Sequence, residues 1–127
     1  MRFKRQEAFR YEFGQPLPCT FRIVQVGEKK VETDKGKAEI HDISPKGMKI
    51  GTPLNIPLDK KIIIIEITFT LSELELTVLG KLVWQRKFAN DYFYGVNLIL
   101  SHKEERQLID ELKKYAANYY KRSSSNQ

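Results

Sequence analysis

Cysteine is almost missing from this chain: Cys19 is the only one in 127 residues. That excludes an internal disulfide and any zinc site built from several thiolates. It also sets the expectation of a cytoplasmic protein that does not depend on oxidation. Histidine is nearly as scarce, with His41 beside Asp42 and His102 far downstream. Neither has the neighbours of a metal site, and Cys19, alternating with apolar residues, reads as a small buried hydrophobe. Long apolar runs are absent too. The longest aliphatic stretch, Ile62 to Ile65, falls far short of the roughly 20 residues a membrane helix needs. The charged start Met1-Arg2-Phe3-Lys4-Arg5 has no apolar run behind it, so neither a secretory leader nor membrane insertion is expected. No glycine-rich phosphate loop and no nucleophile elbow occurs. Glu39 and Asp42, three apart in a predicted strand, should point to opposite faces and fail to converge. The chain is therefore expected not to be an enzyme and to carry neither metal nor cofactor.

What is present is a balanced globular composition, 41% hydrophobic and 30% charged, at a length suited to one domain. The net charge of +6 is unevenly spread. Arg2, Lys4, Arg5 and Arg10 meet one acid, Glu7, in the first ten residues. Near the other end Lys113, Lys114, Lys121 and Arg122 meet no acid after Glu111. Such asymmetry favours anionic partners. The later cluster reads as a solvated helix face, and the arm as the better candidate for binding.

The pattern along the chain predicts six strands and one helix. Residues 1–15 read as a basic arm ended by the breaker cluster Gly14-Gln15-Pro16-Leu17-Pro18. Strands are expected over Cys19–Val26, Lys37–Ile43, Met48–Gly51, Lys61–Leu71, Glu73–Arg86 and Tyr92–Leu100, within a barrel domain spanning 16–100. Leu74, Leu76, Val78, Gly80 and Leu82 share one phase of that fifth strand. Prolines 53 and 57 make the segment from Thr52 a loop. A helix is predicted over 101–122, opened by a capping box of Ser101 and Glu104. Its apolar stripe is Leu108, Leu112, Tyr115, Ala116 and Tyr119. The serines of 123–127 read as a disordered tail. Consecutive strands followed by a terminal helix argue for an antiparallel sheet curled into a small barrel or sandwich.

Two stretches carry the chemistry. The first, His41-Asp42-Ile43-Ser44-Pro45-Lys46-Gly47-Met48, sets an acid, a hydroxyl and a glycine at the spacing D-x-S-x-x-G between two strands. An ionised carboxylate can accept two parallel bonds from the N1–H and N2–H edge of guanine. Two residues apart in a strand, Asp42 and Ser44 would share a face. Gly47 would allow a close backbone approach to a ligand. A plain turn, with Asp42 or Ser44 bonded to nearby backbone and Gly47 at positive φ, explains the same residues. The second stretch is the arm, whose arginines can grip guanine or phosphate. A disordered basic terminus is its other reading. Single-stranded nucleic acid is a further candidate ligand, through Phe9, Tyr11 and Phe13. It is disfavoured, because alternating aromatics suit a packed strand face.

Together the two stretches resemble the ligand signatures of PilZ domains, bacterial receptor modules for cyclic di-GMP. In that family an R-x-x-x-R arm precedes the first strand and a D/N-x-S-x-x-G motif follows it. Gly80-Lys81-Leu82-Val83-Trp84 and Tyr94-Gly95-Val96-Asn97-Leu98 are similar to the family's last two strands, so the likeness runs from about Lys4 to Tyr120. It implies a mainly β fold, a six-stranded antiparallel β-barrel with a C-terminal helix. It implies cyclic di-GMP as ligand, with Arg10, Asp42, Ser44 and Gly47 as site residues by position. The arm departs from the pattern: Gln6 stands four before Arg10, and the nearest arginine, Arg5, stands five before it. Arg5 therefore joins the expected site only through a shifted loop. The function implied is a receptor whose arm moves on nucleotide binding and signals to a downstream protein. The alternative is a PilZ-like adaptor that binds no nucleotide and works through protein contacts in motility, pilus or envelope assembly.

Overall fold

The computed structural model describes residues 10–125. Its elements run β1 (Tyr11–Val26), β2 (Lys29–Lys30), β3 (Gly36–Ile43), β4 (Gly47–Thr52), β5 (Ile63–Thr70), β6 (Glu75–Phe88), β7 (Asp91–Ile99) and α1 (His102–Ser125). Every strand pairing is antiparallel, in the order β2-β1-β3-β4-β7-β6-β5. β5 then pairs back onto β1 and closes a six-stranded barrel, which β2 extends at β1 by two residues. Closure leaves no long open edge for another chain to pair with.

Closure depends on the length of β1. Its earlier part pairs with β3, from Tyr11↔Ile43 to Phe21↔Gly36, and its later part with β5, from Thr20↔Thr68 to Val26↔Ile63. The breaker cluster does not start a new element. The chain enters the sheet at Tyr11 and passes through Gly14, Gln15 and Pro16 as a register shift between Glu12 and Leu17. Proline lacks an N–H donor, so the ladder is interrupted there while the strand direction survives. Tyr11 to Gln15, read as arm, are barrel.

Alternation fills the interior. Ile63, Ile65, Ile67 and Phe69 of β5 are buried, as are Leu76, Val78 and Leu82 of β6. Leu74 shares their phase but lies in the β5–β6 turn and is exposed. Cys19 is buried as expected. Burial, and to a lesser degree the charge of Glu39, pushes its thiol up to about 12. Tyr94 is fully buried, and its hydroxyl donates to Leu54 O (2.7 Å) while accepting from Ile56 N (2.7 Å) and Gln85 Nε2 (3.0 Å). One phenol thus pins the proline-bounded loop to the barrel wall.

The helix begins as its capping box predicts. Glu104 N donates to Ser101 Oγ (3.1 Å) and Ser101 N to Glu104 Oε1 (2.9 Å). It extends to Ser125, so serines 123–125, read as a tail, continue it. Leu108 and Leu112 are fully buried, and Tyr115 meets Tyr11 (5.7 Å) and Phe13 (5.4 Å) edge to face. Those two strand aromatics are packed, not offered to a nucleic acid. Glu111 shares the docked face and is 1% exposed. Its Oε1 accepts from Ser72 N (3.2 Å), Glu73 N (2.9 Å) and Leu74 N (3.1 Å), closing the β5–β6 turn. Burial pushes the Glu111 carboxyl up, but those three N–H groups and nearby Lys114 outweigh it and hold it below its usual range. No helix among the described residues is long and apolar enough to cross a membrane.

Candidate ligand-binding site

The β3–β4 hairpin builds one wall of the site. Ser44 N donates to Gly47 O (2.8 Å), and Ser44 Oγ accepts from Lys46 N and Gly47 N (3.2 Å each). Ser44 is fully buried. Its hydroxyl shapes the turn and does not share an outward face with Asp42. Gly47 is not in the left-handed region; Gly27 is the described glycine that is. A β-carbon on Gly47 would lie 2.8 Å from the Val96 carbonyl oxygen of β7. The glycine is required by strand approach, not by positive φ.

Asp42 is aimed outward by a bulge. The β3–β4 register shifts between Ile40 and Asp42, so Ile40 and Ile43 both face the core despite their odd spacing. Glu39 and Asp42 therefore share the outer side, against the expectation from strict alternation. They still belong to different surroundings: Glu39 pairs with Gly51, whereas Asp42 pairs with Lys49 and, across β1, with Glu12.

Arg10 meets Asp42 here. Its Nη2 lies 3.1 Å from Asp42 Oδ1, with the arginine side chain 41% and the carboxylate 18% exposed. The contact is Coulombic and poorly aligned, and Oδ1, buried, has no hydrogen bond among the described residues. Around the pair is a recess of about 200 Å³, walled also by Lys46, Lys49, Trp84 and Asn97. A bulge between Leu82 and Trp84 turns the indole outward over Gly95, where any β-carbon would collide with it. Arg86 stands over the indole, 5.6 Å from the ring.

A larger recess, about 850 Å³, lies elsewhere on the barrel, among Leu17, Pro18, Thr52 and Phe93. Its charged lining is Glu39, Glu75 and Asp91 against Lys37. That balance suits an anion poorly. The smaller recess, with Arg10, Lys46 and Lys49, suits one well.

A family model for the PilZ domain matches residues 4–114. The chain belongs to the PilZ family. No curated protein gives a match. PilZ domains are binding and adaptor domains, a receptor family for cyclic di-GMP, and not enzymes. The match takes in the arm from residue 4 onward, but Arg5 and Gln6 lie outside the described residues. Of the expected PilZ site residues, Arg10 and Asp42 come together at the recess, Gly47 lines it, and Ser44 lies beneath it in the turn. Lys46, Lys49, Trp84 and Asn97 were not singled out by sequence. Trp84 carried no signal of its place, because it continues the even phase of Leu76, Val78 and Leu82 and reads as one more inward residue until the bulge turns it out.

Proposed function

We propose that this PilZ domain is a cytoplasmic cyclic di-GMP receptor whose site is the recess around Arg10 and Asp42. The observation that carries this reading is the ion pair itself: the arm's second arginine and the acid of the hairpin motif meet at one cationic recess. Asp42 accepts the N1–H and N2–H edge of a guanine. Arg10 is released to the guanine O6/N7 edge or to a phosphate, and Lys46 and Lys49 neutralise further phosphate charge. Ser44 and Gly47 hold the hairpin that carries Asp42, and Arg5 adds a second arginine from the arm. Exchanging the Arg10–Asp42 pair for ligand contacts moves the arm, and a partner protein reads that movement.

Calorimetric titration of the full chain with cyclic di-GMP tests this. Binding is expected to saturate, and Arg10→Ala to weaken it about ten- to a hundredfold, as loss of a charged hydrogen bond of roughly 1.5–3 kcal/mol requires. GTP at the same concentration should give no comparable heat. Gln6 favours the second reading, an adaptor without nucleotide, because one expected cation is missing there. That reading predicts no heat at high micromolar ligand and an Arg10→Ala variant that still binds its protein partner.

A further inference from the structure

The arm reaches the barrel at a thinly paired stretch of the sheet. Arg10 leads directly into β1, whose ladder with β3 opens with Tyr11↔Ile43 and Glu12↔Asp42 and resumes only at Leu17↔Ile40. Pairing with β5 begins later still, at Thr20↔Thr68. A strand end backed by so few ladder pairs frays unless side chains hold it. Tyr11 and Phe13 alternate with Arg10 and Glu12, so they point away from the face on which Arg10 meets Asp42. On their side Tyr115 of α1 completes a group of three rings, each edge-on to the other two. The centroids are 5.0 Å apart for Tyr11–Phe13, 5.7 Å for Tyr11–Tyr115 and 5.4 Å for Phe13–Tyr115. Phe13 is buried, and both tyrosines pack against the core beside it. Edge-to-face rings hold one another beyond the burial of their area.

We propose that Tyr115 is a positioning residue for nucleotide binding: it clamps the root of the arm through Tyr11 and Phe13 and so holds Arg10 at the recess. The inference rests on the reading of that recess as the cyclic di-GMP site. It names a residue outside the recess lining on which the site's affinity depends. The arm then swings about a fixed root. With Tyr11 gripped from the far side, the backbone behind Arg10 is already ordered when the guanidinium leaves Asp42 for the ligand. Without the Tyr115 ring the strand end frays, and binding carries the entropy cost of re-forming it. The clamp also acts in reverse, because coupling between two sites is reciprocal. A ligand that holds Arg10 steadies Tyr11, and Tyr11 steadies α1 around Tyr115. The C-terminal helix thereby senses the recess, although no described residue of α1 lines it.

Calorimetry of the full chain with cyclic di-GMP, on variants first shown to melt cooperatively, tests the clamp. Tyr115→Ala should weaken binding about three- to tenfold, on the magnitude of an edge-to-face contact. Tyr115→Phe, which keeps the ring, should bind as wild type does. In an Arg10→Ala background Tyr115→Ala should cause no further loss, because it acts through that arginine. Leu112→Ala, which removes buried helix packing but none of the three rings, is the reference for a purely structural effect. Hydrogen exchange without nucleotide is the second readout: Tyr115→Ala should speed exchange over residues 11–16 at least about tenfold and leave 63–70 unchanged. Tyr115→Leu takes its place if the alanine variant does not fold. The proposal is overturned if Tyr115→Ala binds as tightly as wild type, or if its full loss persists without Arg10. It is equally overturned if exchange over 11–16 does not change. Absence of heat from wild type removes the nucleotide reading; the clamp on the arm's root is then decided by exchange alone.

Discussion

The indole of Trp84 occupies the space that a β-carbon at position 95 would need, so the recess wall and the β6–β7 pairing are one feature. Gly95→Ala must therefore displace the indole or spread the strands. Overpacking of this kind costs about 1–3 kcal/mol. Because Trp84 is the only tryptophan, its emission reports the move directly. We expect a changed emission maximum in Gly95→Ala, a lower melting temperature and weaker cyclic di-GMP binding by the folded protein. An unchanged spectrum would mean that the indole does not rest on Gly95 in solution.

Glu111 ties the helix to the β5–β6 turn through three backbone N–H groups. Its folded-state pKa lies below the ordinary 4.5. The sign follows: the carboxylate's contribution is fully present above the unfolded value and is lost as pH falls through the folded one. Urea denaturation of wild type and Glu111→Gln should differ at pH 7 and converge as the pH falls below the ordinary 4.5 and on through the lowered folded value. Glu111→Ala, which leaves three donors without their acceptor, should cost at least about 2–3 kcal/mol at neutral pH.

Leu112 is fully buried on the same helix face. Leu112→Ala should cost about 2–5 kcal/mol, seen as a lower urea midpoint. Nucleotide affinity of the folded fraction should not change, because Leu112 does not line the recess. Unchanged stability would show that the helix is not docked through this residue.

Gln6 stands where the PilZ arm carries its first arginine. If that position faces the ligand, Gln6→Arg should tighten cyclic di-GMP binding about tenfold or more, on the magnitude of a charged, bidentate contact. If Arg5 serves instead, Gln6→Arg should change little and Arg5→Ala should abolish binding. Calorimetry on the two variants separates the cases.

How far the sequence could be read follows from which forces are local. Alternation along β5 and along β6 from Leu76 to Leu82, the capping box at Ser101 and Glu104, and the burial of Leu108 and Leu112 on the helix stripe depend on neighbours a few residues away, and these appear as read. The entry of β1 at Tyr11 did not, because Gly14 and Pro16 signal a break that tertiary pairing with β3 overrides. Bulges at His41 and before Trp84 shift the facing of every later side chain and leave no mark in a periodic pattern. The motif named Asp42 and Gly47, but only the folded chain shows that Gly47 serves β7 and that Ser44 serves the turn. Glu111 was legible in principle: an acid between Leu108 and Leu112 on an apolar stripe needs a buried partner.

The central claim is that Asp42, beside Arg10, receives the guanine edge of cyclic di-GMP. The most direct measurement is calorimetric titration of that nucleotide into wild type and Asp42→Ala, each first shown to melt cooperatively. The account predicts saturable binding by wild type and at least about tenfold weaker binding by Asp42→Ala, since a charged acceptor is removed. Equal affinity in the two proteins would contradict it.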